Sequence, residues 1–135
     1  MKKIAVAIAI IVLSSFQALA QADFAQVAKF DKTVHDFGTV TVDAGMLKCV
    51  FTLTNISDKP LSILAVISSC GCTGVDWTRT AIAPGETGTV TAMYNNDEGP
   101  YPFDKTLTVY VEGVKKPVIL HLRGEVKDPK HSRKK

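Results

Sequence analysis

From Met46 the chain alternates between apolar and polar positions. Leu47, Cys49, Phe51 and Leu53 share one face, with Lys48, Thr52 and Thr54 on the other, the period of two of a half-buried strand. Thr87 to Asn95 repeats the pattern, with Val90, Ala92 and Tyr94 together. Phe103 to Val111 groups Phe103, Leu107, Val109 and Val111, but Lys105 interrupts that stripe and marks a bulge or the wet end of a strand. Val118 to Val126 is the cleanest strand, with Val118, Leu120 and Leu122 inward and His121, Arg123 and Glu125 outward. Leu61 to Ile67 is more continuously apolar and predicts a strand covered on both sides. Shorter extended pieces are expected at Ala25 to Phe30 and Val34 to Val40, and no segment carries a helical period of useful length.

Turn chemistry separates these pieces. Ser57-Asp58-Lys59-Pro60 predicts a hairpin connection. Ala83-Pro84-Gly85 suits a type II turn, since proline fixes the second position and glycine accepts the positive φ of the third. Asp97-Glu98-Gly99-Pro100 and Glu112-Gly113-Val114-Lys115 are further connections. About seven short strands at regular spacing predict an all-β, immunoglobulin-like β-sandwich. The antibody-type disulfide is missing from this pattern: Cys49 lies on an early strand, but Phe103 to Val111 has no cysteine, and Trp77 follows the Cys70-Gly71-Cys72 turn.

The start of the chain reads differently. Lys2 and Lys3 precede an apolar run from Ile4 to Phe16, and Ala18-Leu19-Ala20 is a small-x-small cleavage site, so residues 1–20 are expected to be a cleaved signal peptide. Ala20-Gln21-Ala22 satisfies the same rule. The run is too short for a spanning helix, which needs about 20 residues, and no later stretch is long enough. No cysteine follows the cut, which disfavours a lipid anchor. The expected location is therefore periplasmic or secreted. Residues 21–126 form the expected domain, and 127–135 an expected basic tail, with Lys127, Lys130, Arg133, Lys134 and Lys135 against Asp128. The formal net charge is +3, but the signal and tail supply the excess. The body is weakly acidic, which argues against nucleic-acid binding.

The cysteines are Cys49, Cys70 and Cys72, too few for a disulfide framework. Cys70-Gly71-Cys72 admits several readings. Glycine makes the backbone of a tight Cys-x-Cys disulfide accessible, and a strained, exposed disulfide exchanges readily with thiols. It can equally be a structural clip or two small packed thiols, and no thioredoxin-like βαβ context surrounds it. As thiolates the pair suits Cu(I) or zinc, with Cys49 or His35 as a third ligand. Cys49 alternates with Phe51 and Leu53 and reads as a core residue that stays reduced. His35 and Asp36, with Ser68 or Ser69, list a triad's residue types without its geometry. They read instead as backbone hydrogen-bonding groups at a strand switch before Gly38. Asn55-Ile56-Ser57 fits a glycosylation acceptor by coincidence. No cofactor is expected.

Several motifs in order resemble the bacterial family known as domain of unknown function 1573. They are His35-Asp36-Phe37-Gly38, Phe51-Thr52-Leu53-Thr54-Asn55, Pro60-Leu61, Ser69-Cys70-Gly71-Cys72-Thr73, Pro84-Gly85-Glu86, Phe103-x-Lys105 and Gly124-Glu125-Val126. The resemblance covers nearly all of 30–126, and the chain departs from it at Glu112-Gly113 and in its basic tail. It implies an extracytoplasmic sandwich, similar to centrosomal and ciliary immunoglobulin-like domains and to major sperm proteins. The expected function is a non-enzymatic binding or structural module with a protein partner. The alternative is a thiol-redox or Cu/Zn-binding protein built on Cys70 and Cys72. The short Ala25 to Phe30 piece is the expected open edge for a partner strand.

Overall fold

The computed structural model describes residues 22–130. The expected signal peptide, except for its alternative cleavage residue Ala22, lies outside these residues, as does the end of the basic tail. Eight strands follow a single helical turn, α1 (Phe24–Val27): β1 (Ala28–Phe30), β2 (Val34–Thr41), β3 (Met46–Asn55), β4 (Ile63–Ser68), β5 (Thr73–Trp77), β6 (Thr87–Asn95), β7 (Pro102–Val111) and β8 (Val118–Lys127). They form two four-stranded sheets, ordered β1-β3-β6-β5 and β2-β8-β7-β4. Among the described residues no helix is long and apolar enough to cross a membrane.

The inward rows of the two sheets meet in one core. Phe51 and Leu53 of β3, Val90 of β6, Leu107 and Val109 of β7, and Leu120 and Leu122 of β8 are fully buried there. Each such side chain contributes about 1.5–3 kcal/mol by leaving water, so alternation along these strands is the main determinant of the fold. The expected β-sandwich is the observed one, with β5 as an additional strand. Most pairings are antiparallel, but β2 runs parallel to β8, from Val34↔His121 to Thr41↔Lys127.

Three expectations change. The Ala25 to Phe30 piece is extended only from Ala28, because residues 24–27 close a helical turn with Phe24 stacked on Phe30 at 5.6 Å between ring centroids. Leu61 to Ile67 is not covered on both sides. A register irregularity between Ile63 and Ala65 interrupts its pairing with β7, and Leu64 and Ile67 face solvent at 60% and 56% exposure. Ser57-Asp58-Lys59-Pro60 does not close a hairpin, because β3 and β4 belong to different sheets. The Pro84-Gly85 turn is as expected: Glu86 N donates to Ala83 O at 3.0 Å, and Gly85 has φ +79°.

Asn55 fastens the crossover. Its side chain is completely buried at the end of β3. Nδ2 donates to Lys59 O at 2.7 Å and to Ile82 O at 2.8 Å, while Oδ1 accepts from Ser57 N at 2.9 Å and Ser57 Oγ at 2.7 Å. Every polar site on the amide is used, as burial demands. A side chain so enclosed is unavailable as a glycan acceptor.

Candidate functional site

The Cys70-Gly71-Cys72 turn carries the chain from β4 in one sheet to β5 in the other. Backbone and hydroxyl groups fix it. Ser68 Oγ donates to Cys70 O at 2.8 Å, and Thr73 N donates to the same oxygen at 3.2 Å. Ser69 N donates to Thr106 O at 2.9 Å, and Thr106 N returns a bond to Ser69 Oγ at 3.0 Å. Asn95 N donates to Cys72 O at 2.9 Å. Both serines named as possible nucleophiles thus spend their hydroxyls on backbone.

Cys70 and Cys72 form a disulfide, with Cα atoms 5.2 Å apart. Both side chains are half-buried and Gly71 is exposed. The two sulfurs have different surroundings. Cys70 Sγ accepts the Cys72 N–H at 3.0 Å and lies 3.9 Å from Glu98 Oε1. Cys72 packs on the core and lies 3.9 Å from Thr73 Oγ1. Cys49 is a buried free thiol on the inward row of β3, where burial pushes its pKa up to about 11.

Glu98 is not among the residues that the sequence singles out. It stands in the connection from β6 to β7, and its Oε2 meets Lys105 Nζ at 2.7 Å and accepts from Tyr94 OH at 3.3 Å. The Lys105 hydrogen bond is the main reason the Glu98 carboxyl is held below its usual range, and partial desolvation opposes it. Tyr94 moves the other way, raised first by burial and then by the Glu98 charge. Lys105 lies on the inward row of β7 opposite Leu122, and the β7–β8 register runs unbroken from Pro102↔Glu125 to Val109↔Val118. The break in the apolar stripe is therefore not a bulge. Its stem is largely covered and its ammonium reaches the charged cluster, as long basic side chains do. That misplaced lysine was the one sequence signal pointing here.

The sulfurs of Cys70 and Cys72 and a Glu98 oxygen lie within 4.8 Å of one another, a grouping that does not include His35. With both thiols free, this donor set has the chemistry of a zinc or Cu(I) site, although the Lys105 ammonium on Glu98 opposes a second cation.

His35 and Asp36 sit on β2 in the other sheet. Asp36 Oδ1 accepts Gly38 N at 2.7 Å, and Gly38 takes φ +67° where the β2–β8 register shifts between Asp36 and Thr39. His35 packs edge-on to Phe37 at 4.5 Å, and burial lowers its pKa, with Lys32 adding to the effect. The His35-Asp36-Phe37-Gly38 motif is thus a strand irregularity with its own hydrogen bond. Beside it lies an open depression of about 300 Å³, lined in part by Asp36, Gly38, Phe103 and Gly124. His121 stands on the outer face, with Nδ1 2.8 Å from Asp104 Oδ1, and Arg123 Nε bonds the other oxygen of that carboxylate at 2.8 Å.

The family model described as "Protein of unknown function (DUF1573)" matches residues 28–126. No curated protein matches the sequence. Among solved structures, a protein of unknown function from Porphyromonas gingivalis W83 superposes with TM-score 0.65 at 19% identity, over 82% of this chain and 51% of its own. This chain therefore spans about half the length of that protein. The ASH / PapD-like domain 7 of human CEP192 gives TM-score 0.57 at 10% identity, over 85% of this chain and 92% of that one. WR4, an MSP family member of C. elegans, gives 0.56 at 12% identity, over 73% and 97%. At these identities the likeness is one of fold.

Proposed function

This chain belongs to the DUF1573 family, and we propose that it is an exported, non-enzymatic module that binds a protein partner through the outer face of the β2-β8-β7-β4 sheet. The observation that carries this reading is a group of exposed apolar side chains on three adjacent strands, set around Thr108. Ile67 of β4 lies opposite Thr108 of β7, which lies opposite Ile119 of β8. Tyr110, two residues along β7 from Thr108, projects from the same face beside them. Ile67, Tyr110 and Ile119 are all at least 40% exposed. Scattered exposed apolar residues need no explanation, but three large ones grouped on one sheet face with a charged border have the composition of an interface centre. Asp104 and Arg123 supply that border further along the same strands. The matching partner presents an apolar patch rimmed by polar groups.

The test is a photo-crosslinking residue at position 110 in the native host. The expected product is one discrete adduct with a second protein, lost in Ile67→Lys plus Ile119→Lys while the melting temperature holds. A folded protein that gives no adduct, or one indifferent to the double substitution, overturns the reading. Export is checked separately by intact mass, with Gln21 or Asp23 as the expected first residue.

A further inference from the structure

We infer that the Cys70–Cys72 disulfide is an exchange site for protein dithiols, with the Glu98–Lys105 ion pair controlling the thiol that the exchange releases. Cys70 follows Ile67 by three residues, but the exchange site shares no side chain with the exposed apolar group, so loss of exchange and loss of the crosslinked adduct are read out separately.

A disulfide that merely clips the turn has little to contribute here. It closes a loop of sequence separation 2, and the entropy a crosslink removes from the unfolded chain shrinks with loop length. The turn is already held by Ser68, Ser69, Thr73 and Asn95 through bonds that do not involve sulfur. What these contacts leave unexplained is the charge beside the sulfur. Glu98 comes from the β6–β7 connection, and Lys105 occupies an inward position that the alternation of β7 assigns to an apolar residue. Ion pairs of this kind tune a thiol, since a cation favours the thiolate and an anion the protonated form.

The two sulfurs are chemically distinct, which fixes the direction of attack. Cys70 is the sulfur that leaves, because the Cys72 N–H already points at it to receive the developing charge, and Lys105 offsets the opposing Glu98 anion. A substrate thiolate attacks Cys72 Sγ. The Cys70–Cys72 bond breaks, its electron pair goes to Cys70 Sγ, and that sulfur takes a proton from solvent and donates it in a hydrogen bond to Glu98. The second substrate thiolate then attacks the substrate sulfur of the mixed disulfide and expels Cys72 as thiolate, which is protonated from water. The substrate dithiol loses two electrons and becomes a disulfide, and the Cys70–Cys72 pair gains them.

The experiment mixes the oxidised, folded protein with a peptide carrying two cysteines and follows peptide disulfide formation by mass spectrometry. One peptide disulfide is expected per protein disulfide consumed, with the fold intact by circular dichroism. Absence of exchange until the protein is denatured overturns the proposal. Alkylation of reduced Cys70 by iodoacetamide against pH supplies a second readout. Glu98→Gln removes the anion beside the sulfur and leaves the Lys105 charge unopposed, so Cys70 should react roughly 3- to 10-fold faster near neutral pH. Lys105→Met should slow it by a comparable factor. Opposite signs from the two substitutions cannot come from loosened packing. Equal rates in both variants would overturn the role of the ion pair.

Discussion

Asn55 Nδ2 donates to the carbonyl oxygen of Ile82 at 2.8 Å, binding the end of β3 to the segment that precedes β6. The same amide serves Lys59 and Ser57, so one buried side chain holds three stretches of chain together. Removing it strands buried polar groups rather than merely deleting a contact. Asn55→Ala is expected to cost about 3 kcal/mol, the scale of several lost buried hydrogen bonds. Asn55→Asp should cost at least as much, because a carboxylate cannot donate to the Lys59 and Ile82 carbonyls. Urea denaturation of both variants checks this, and a loss under 1 kcal/mol would contradict it.

Gly124 and Phe103 face each other across the β7–β8 pair. A Cβ on Gly124 would fall 2.6 Å from Phe103 Cζ, closer than real contacts allow, and 3.2 Å from Gly38 O. Gly124→Ala should therefore destabilise by about 2 kcal/mol, within the range for overpacking. The ring is the main obstacle. Phe103→Leu should recover part of that loss, giving a non-additive pair in thermal unfolding. Additive losses would show that the backbone of Gly38 is the harder wall.

His35 sets a pH dependence under mild conditions. Its pKa lies below the ordinary 6.5 in the folded chain, chiefly because burial disfavours the charged ring. The unfolded chain thus takes up protons first as pH falls. The contribution of neutral His35 is fully present above 6.5, is lost as pH drops toward the folded value, and is gone below it. Melting temperature should fall from pH 7 toward pH 5, and His35→Gln should flatten that slope. An unchanged slope would assign the dependence elsewhere.

Cys49 should remain a thiol. Its burial on the inward face of β3 and its raised pKa both suppress the reactive thiolate. Alkylation of the native, unreduced protein is expected to label no cysteine. After denaturation without reduction it should label Cys49 alone. A Cys49–Cys70 or Cys49–Cys72 peptide in the digest would mean that the turn folds back over β3.

The strands were legible wherever one face meets the core and the other meets water. Leu47 to Leu53 and Val118 to Val126 have that arrangement, and burial follows their alternation. The Pro84-Gly85 turn was legible because only one conformation suits both residues. Leu64 and Ile67 were misread because an apolar run does not reveal a register irregularity, and exposure depends on where the pairing shifts. β5 was missed because its five residues begin at once after a turn and offer little alternation. The surroundings of the cysteines were only half legible. Cys70 and Cys72 declare themselves, but Glu98 reaches them through folding across 28 positions in sequence. Lys105 signalled something unusual without saying what it would meet.

The parallel pairing of β2 with β8 bears on how the molecule is made. Val34 finds its neighbour in His121, so the second strand to appear pairs with the last. A polypeptide delivered amino end first must hold β2 without its ladder until nearly the whole domain has emerged. Such distant pairings form late, because the intervening chain must be ordered first. The opposite sheet has no such delay, since β1 and β3 are close in sequence and can pair early. Assembly is then a matter of timing: a half-built sandwich waits for its final strand, and premature truncation anywhere before β8 leaves β2 with no place to go.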